Sequence, residues 1–276
     1  MHEPRLALLV LGMHRSGTSA LARCLMLHGL APPAQRMGPA PDNPRGFWEP
    51  PRVQKMNDRL LGRFRLAWDD PRLIDWPRVA PDRMRLLRRE AAAALATSFP
   101  DRAPFVLKEP RMARLLPIWL PVLAEEGVAP GIVLALRHPA EVTASLVRRN
   151  RLSRNRCLLL WLGHVLAAER DTRHLPRATV RHADLVADWH AALAPVAPLL
   201  PAGAAPDGAA IAAFLTAELR HHDVGAGTAA QLPDGPLGEL ARAVFAELDR
   251  AAPDPGVLDA ASDRFVALLG HGGLVA

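Results

Sequence analysis

Gly12-Met-His-Arg-Ser-Gly-Thr-Ser19 is the stretch that decides the fold of this 276-residue chain. An apolar run, Leu-Ala-Leu-Leu-Val-Leu at residues 6–11, leads into it, and a stretch of helical periodicity at residues 20–28 leads out. Strand, glycine-bounded loop and helix in that order make a cradle for phosphate, because the free N–H groups of the new helix face the anion. The spacing G-x-x-x-x-G-x-[ST] is that of a Walker loop with one defect: Thr18 stands where the lysine belongs, and the cation sits earlier, at Arg15. Nucleoside triphosphatases use that lysine on the β- and γ-phosphates, beside Mg²⁺. A loop that keeps the cradle and moves the cation points to a nucleotide with no γ-phosphate to grip. The plainer alternative is a strand–helix turn capped by Ser or Thr.

Outward from the loop, short apolar runs alternate with helical patterns. Residues 105–107 and 131–136 predict buried strands, the first ending at Lys108 and the second at Arg137, and residues 179–181 predict a last strand. Helices are expected at residues 53–64, 84–96, 115–126, 140–149 and 157–173, with Pro117 and Pro121 kinking or restarting the third. Residues 31–51, rich in Pro and Gly, read as loop. This alternation predicts a three-layer α/β fold: a parallel sheet flanked by helices, of the P-loop NTPase type. From about Ala191 the composition turns to Ala, Pro and Gly, and only short helices are expected, at residues 245–250 and 264–269. The chain thus reads as one domain over residues 1–276. Its nucleotide-binding core is residues 1–190, and an irregular or helical extension, residues 191–276, packs on that core or caps the ligand site.

Half of the residues are hydrophobic, enough for a sizeable core, and no apolar run is as long as a membrane span. Cys24 and Cys157 lack metal-ligand spacing and sit in apolar helical patterns, so they read as buried thiols, and the protein is expected to be cytoplasmic. The formal charge is +6. The arginines are spread along the chain, there are no tyrosines, and the tryptophans are scattered, so a nucleic-acid partner is not expected. Only two lysines occur, Lys55 and Lys108, so each stands out against the arginine-rich background.

Three segments carry the candidate chemistry. In the loop, Gly17 lets backbone approach an oxyanion, Ser16, Thr18 and Ser19 add hydroxyls, and Arg15 adds charge. At the end of the strand over residues 131–136 stands Arg137. Ser145 and Arg149, four apart on the next helix, share one face and converge with it on a dianion such as a phosphate monoester. At the end of the strand over residues 105–107, Lys108-Glu109-Pro110-Arg111 brings a further cation to the same crevice. Arginines pointing into water and a surface lysine are the plainer alternatives for the last two segments.

Together these segments resemble the sulfotransferases that use 3′-phosphoadenosine 5′-phosphosulfate (PAPS), over about residues 6–190. In that family a loop of the type [KR]-x-G-T-[TS] binds the 5′-phosphosulfate, and Arg15-Ser-Gly-Thr-Ser19 matches it. A strand-end arginine and a serine eight residues on bind the 3′-phosphate, matching Arg137 and Ser145, and the tyrosylprotein branch adds an arginine that Arg149 matches. The Lys-[DE]-Pro step also resembles that branch, so Lys108 matches the lysine assigned to the transferring sulfuryl group. Asn43-Pro-Arg-Gly46-Phe-Trp-Glu49 resembles the segment that carries the acidic residue in many bacterial members. There are departures. Arg15 stands where cytosolic small-molecule members carry lysine, Ala20 replaces a common tryptophan, and His182 stands where relatives often show tyrosine. Pro110 stands in place of a histidine, so the phenol-sulfating, histidine-base pattern does not fit.

The resemblance implies transfer of a sulfuryl group from PAPS to a hydroxyl acceptor, preferably a carbohydrate or small metabolite, with no metal. Arg15 and Lys108 are expected to neutralise the bridging and sulfuryl oxygens, and Glu49, desolvated by Phe47 and Trp48, to act as general base. His14 is the second choice of base, with Glu109 and Asp58 behind it. Trp48, Trp68 and Trp76 are expected in the acceptor region, either stacked on a sugar or in the core. A P-loop kinase or nucleotide hydrolase, and a catalytically inactive PAPS-binding protein, are the alternatives.

Overall fold

Leu8, Leu9, Val10 and Leu11 are all buried, because the strand they form is covered on both faces. In the computed structural model, which describes residues 4–41, 43, 45–222 and 231–276, this strand is β1 (Arg5–Leu11). It is followed by α1 (Thr18–Met26), α2 (Pro51–Arg63), a two-residue β2 (Leu73–Ile74) and α3 (Pro81–Ser98). Next come β3 (Phe105–Lys108), α4 (Leu116–Glu125), β4 (Val128–Leu136), α5 (Pro139–Asn150), α6 (Arg154–Thr172) and β5 (Arg177–Arg181). The remainder is α7 (His182–Ala187), α8 (Trp189–Leu193), α9 (Gly208–His222), α10 (Pro236–Leu248), α11 (Pro255–Leu269) and β6 (Leu274–Val275).

The main sheet has four parallel strands in the order β3-β1-β4-β5. Period-two alternation splits β1 between two cores. Ala7, Leu9 and Leu11 face the core shared with α2, α3 and α4, while Leu8 and Val10 face the one shared with α1 and the start of α9. A third cluster joins α5 and α6 to α10 and α11. Each fully buried leucine contributes about 1.5–3 kcal/mol, and a charge at Leu9, between β3 and β4, would break the sheet at its centre. The layout places the carboxyl ends of β1, β3 and β4 side by side, which is where ligands bind in open parallel sheets.

Several expectations change. The extension is more regular than its composition suggests: α10 and α11 start well before the short helices expected at residues 245–250 and 264–269, and both pack on α6. Proline at the first turn is compatible with both starts. α4 runs through Pro121 as one helix. The lost N–H would have bonded Pro117 in the first turn, and burial of Ile118, Trp119, Val122 and Leu123 outweighs that one bond. β2 and β6 form a separate two-residue parallel pair that ties the end of the chain to the middle. Two-residue strands leave no periodicity to read. Among the described residues, no helix is long and apolar enough to cross a membrane.

Candidate active site

The loop between β1 and α1 is built from two left-handed residues, Arg15 at φ 70° and Gly17 at φ 80°. Gly17 has a second reason to be glycine: a Cβ there would meet His182 Cδ2 at 2.1 Å, so the ring lies directly against the loop. Gly17 caps α1 through its backbone, and no side chain caps that helix. The plain Ser/Thr-capped turn is therefore not what forms, and the N-terminal N–H groups are left to a ligand or solvent. Ser16 is placed differently from Thr18 and Ser19. Its hydroxyl is buried without a partner among the described residues, and its N–H bonds Met13 O at 3.1 Å.

Arg15 is not glycine, so its left-handed backbone costs about 1–2 kcal/mol. Contacts from β4 and α5 help to hold it. Arg137, just past the end of β4, donates to Arg15 O at 3.0 Å, and Arg15 Nε donates to Ser145 Oγ at 2.8 Å. Arg137 also pairs with Glu141 at 2.8 Å. Arg149, one turn beyond Ser145 on α5, has its guanidinium 5.8 Å from the Phe47 ring. Arg15, Arg137, Ser145 and Arg149 thus meet where the loop, β4 and α5 converge.

Lys108 ends β3 and is buried, with all three of its N–H donors committed. They reach Ser19 Oγ at 3.0 Å, Phe47 O at 3.1 Å and Glu49 Oε1 at 2.5 Å. Glu49 is buried as well and pairs with Lys108, with Phe47 lining the same cleft. Trp48 lies among arginines instead, with Arg23 at 4.5 Å and Arg36 at 5.4 Å. Asn43 donates to Ser19 Oγ at 3.4 Å, which brings the start of the same segment to the loop; Pro44 lies outside the described residues. A cleft of about 130 Å³ opens among His14, Arg15, Ser19, Glu49, Lys108 and Arg149.

Beneath this cleft lies a second polar layer. Glu109 is fully buried and bonded by Asn57 Nδ2 and Arg111, and Arg111 also pairs with Asp58 at 2.7 Å. Burial pushes the Glu109 carboxyl up to about 7, against the pull of Arg111. Trp119 Nε1 donates to Asn57 Oδ1 at 2.7 Å and fixes that amide. The His14 ring lies 4.8 Å from Trp68 and 6.1 Å from His164. Burial pushes His14 well below the usual histidine range, with Arg111, His164 and Lys108 adding to the effect, so its imidazole is neutral at pH 7. Trp68 thus packs behind His14 and against the third cluster rather than lining the cleft, while Trp76 packs edge-on against Phe64, 5.5 Å away.

Asn57 has no sequence signal, since nothing local distinguishes a buried asparagine on a helix from an exposed one. Arg111 adjoins the Lys-Glu-Pro motif, but its role depends on Glu109 and Asp58, which the fold places on either side of it. A larger groove, about 600 Å³, runs along β5. Its charges are paired internally, Arg181 with Asp249 at 2.8 Å and with Asp184 at 2.7 Å, so we place the candidate chemistry in the smaller cleft. Among the described residues, no group of three or more His, Cys, Asp or Glu side chains is arranged to hold a metal ion.

A family model described as "Sulfotransferase family" matches residues 7–200. Two solved structures are similar along nearly the whole chain. One is the sulfotransferase domain from the Synechococcus PCC 7002 olefin synthase, 18% identical over 95% of each chain with a TM-score of 0.45. The other is the sulfotransferase domain from the curacin biosynthetic pathway, 15% identical over 95% of this chain and 96% of that one, with a TM-score of 0.41. No curated protein matches.

Proposed function

The chain belongs to the sulfotransferase family, and from that premise we propose that it transfers a sulfuryl group from PAPS to a hydroxyl acceptor, a carbohydrate or small metabolite. The observation that carries this reading is the meeting of Lys108, Ser19 and Glu49 beside an α1 N-terminus that no side chain caps. Transfer between two oxygens needs positive charge where negative charge collects, and a base near the acceptor proton. Here a buried cation and a buried carboxylate stand 2.5 Å apart.

The donor brings the sulfuryl group and its leaving phosphate. The bond from sulfur to the leaving oxygen breaks, a bond from sulfur to the acceptor oxygen forms, and the acceptor's proton passes to Glu49. Arg15 and Lys108 supply charge at the leaving and sulfuryl oxygens, with Thr18 and Ser19 contributing N–H groups at the helix start. Arg137, Ser145 and Arg149 hold the 3′-phosphate. Because all three Lys108 donors are in use, an arriving anion has to displace one partner. Displacing Glu49 frees the base as the donor enters. His14, neutral and lining the same cleft, is the alternative base.

The test is a thermal shift with 3′-phosphoadenosine 5′-phosphate, against ADP and Mg·ATP at equal concentration. A ligand at 100 times its Kd stabilises the fold by about 2.7 kcal/mol. We expect a shift selective for the 3′-phosphorylated nucleotide that is lost in Arg137→Ala. A shift with Mg·ATP alone would overturn the reading in favour of a kinase or hydrolase.

A further inference from the structure

α2 begins two residues after Glu49 and carries a row of bases away from the cleft. Arg52, Lys55, Arg59 and Arg63 recur at intervals of three or four, which puts them on one helix face, and all four are exposed. Gln54 and Asp58 form the neighbouring row, and Gln54 lines the cleft. Asp58 does not neutralise the bases, because Arg111 takes it at 2.7 Å and Gln54 at 2.6 Å. Among the described residues, no carboxylate lies within 4.0 Å of Arg52, Lys55 or Arg59, whereas Arg63 pairs with Glu90 at 2.9 Å.

The row ends in a pocket. Past the α2 C-terminus, Arg63, Arg65, Arg72 and Arg83 surround a hollow of about 470 Å³ with Phe64 in its wall. Arg83 lies over the Phe64 ring, 4.4 Å from its centroid, and donates to Arg63 O at 2.5 Å. Arg65 has no carboxylate within 4.0 Å among the described residues. Thirteen residues at 1.5 Å each make a track of roughly 20 Å from cleft to pocket.

We propose that this track docks an acidic linear polysaccharide as the acceptor. Carboxylate or sulfate groups along its chain pair with Arg52, Lys55, Arg59 and Arg63, one end lies in the pocket of Arg65 and Arg83, and a hydroxyl nearer the other end reaches the cleft. The proposal rests on the sulfotransfer reading for what happens to that hydroxyl, and on the track alone for binding. Three guanidinium groups and one ammonium in single file suit a polymer with regularly spaced anions, the arginines pairing through a planar fork and Lys55 as a point charge. An extended peptide would need pockets for its alternate side chains. Between the bases the track offers only Gln54, Asp58 and Gly62, with open space above Gly62. A single-stranded nucleic acid would need aromatic platforms, and the track carries none between Arg52 and Arg63.

The experiment measures binding of a labelled oligogalacturonate long enough to span α2. It is compared with a neutral maltooligosaccharide of equal length, an oligoglutamate, phosphatidylglycerol vesicles and a single-stranded oligonucleotide. The proteins are wild type, Arg59→Glu, and the quadruple variant Arg52→Gln/Lys55→Gln/Arg59→Gln/Arg65→Gln. The expected result is oligogalacturonate binding that falls about tenfold or more in the quadruple variant and weakens with salt. The thermal shift with 3′-phosphoadenosine 5′-phosphate is measured on each protein and stays unchanged, which separates loss of the track from misfolding. Equal binding by wild type and the quadruple variant, no preference over the neutral sugar, or tighter binding of the peptide, vesicle or oligonucleotide would overturn the proposal. Track-dependent binding without any nucleotide shift in the wild type would sink the sulfotransfer reading and leave the track standing.

Discussion

Lys108 Nζ lies 2.5 Å from Glu49 Oε1, and both side chains are buried, so neither charge can be removed without stranding the other. Breaking a buried pair by deleting one partner typically costs about 3–5 kcal/mol, much of it from the charge left behind. Lys108→Met should therefore destabilise strongly in urea. Adding Glu49→Gln should return a large share of the loss. If the two changes simply add, the pair is not coupled and each group is satisfied elsewhere.

Gly17 is fixed by two constraints that can be separated. Alanine there has to adopt φ 80° and has to displace the His182 ring. The backbone part costs about 1–2 kcal/mol, and the contact with His182 adds to it. We expect Gly17→Ala to lower Tm markedly, and His182→Ala in that background to recover only the contact part. Full recovery would mean the left-handed backbone is not needed at this position.

The fold is legible in the sequence because its signals are local. The apolar run before Gly12, the loop glycines and the strand-end positions of Lys108 and Arg137 each occupy a few consecutive residues. The pairing of Lys108 with Glu49, 59 positions apart, is not legible. The motif marks Glu49 but not its surroundings: Phe47 lines the cleft with it, whereas Trp48, with a left-handed backbone at φ 59°, has its ring among Arg23 and Arg36. The lengths of α10 and α11 are hidden because alanine and proline read as loop composition, although alanine is the strongest helix former and proline suits a first turn.

Ser145 tests whether the restraint on Arg15 matters for binding more than for stability. Its hydroxyl accepts from Arg15 Nε at 2.8 Å. Losing one such bond costs about 0.5–1.5 kcal/mol, or somewhat more with a charged partner. Ser145→Ala should thus move Tm by a few degrees at most, yet weaken 3′-phosphoadenosine 5′-phosphate by tenfold or so, through loss of the hydroxyl and a looser Arg15. A nucleotide affinity that does not change would remove Ser145 from the binding set.

Glu109 and His164 should leave opposite signatures in the pH dependence of stability. Burial raises Glu109 from 4.5 to about 7 in the native protein. Between those values the folded chain keeps a proton that the unfolded chain has released. Its contribution is complete below about pH 4.5, declines by up to about 1.4 kcal/mol per unit as pH rises, and is gone above about pH 7. Glutamine mimics the protonated form, so Glu109→Gln should gain on wild type across that window and hold its gain above it. Burial lowers His164 from 6.5 to about 3. Here the unfolded chain takes a proton that the native chain refuses, so stability is present above about pH 6.5 and lost as pH falls toward 3. His164→Gln should therefore gain on wild type on the acid side. The two effects overlap between pH 4.5 and 6.5 with opposite sign, so the wild-type profile alone can look flat. Urea unfolding of the wild type and both variants at pH 4, 5, 6, 7 and 8 separates them. If the difference between Glu109→Gln and wild type does not vary with pH, Glu109 stays ionised against Arg111 throughout, and the buried acid beneath the cleft is a fixed charge rather than a titrating one.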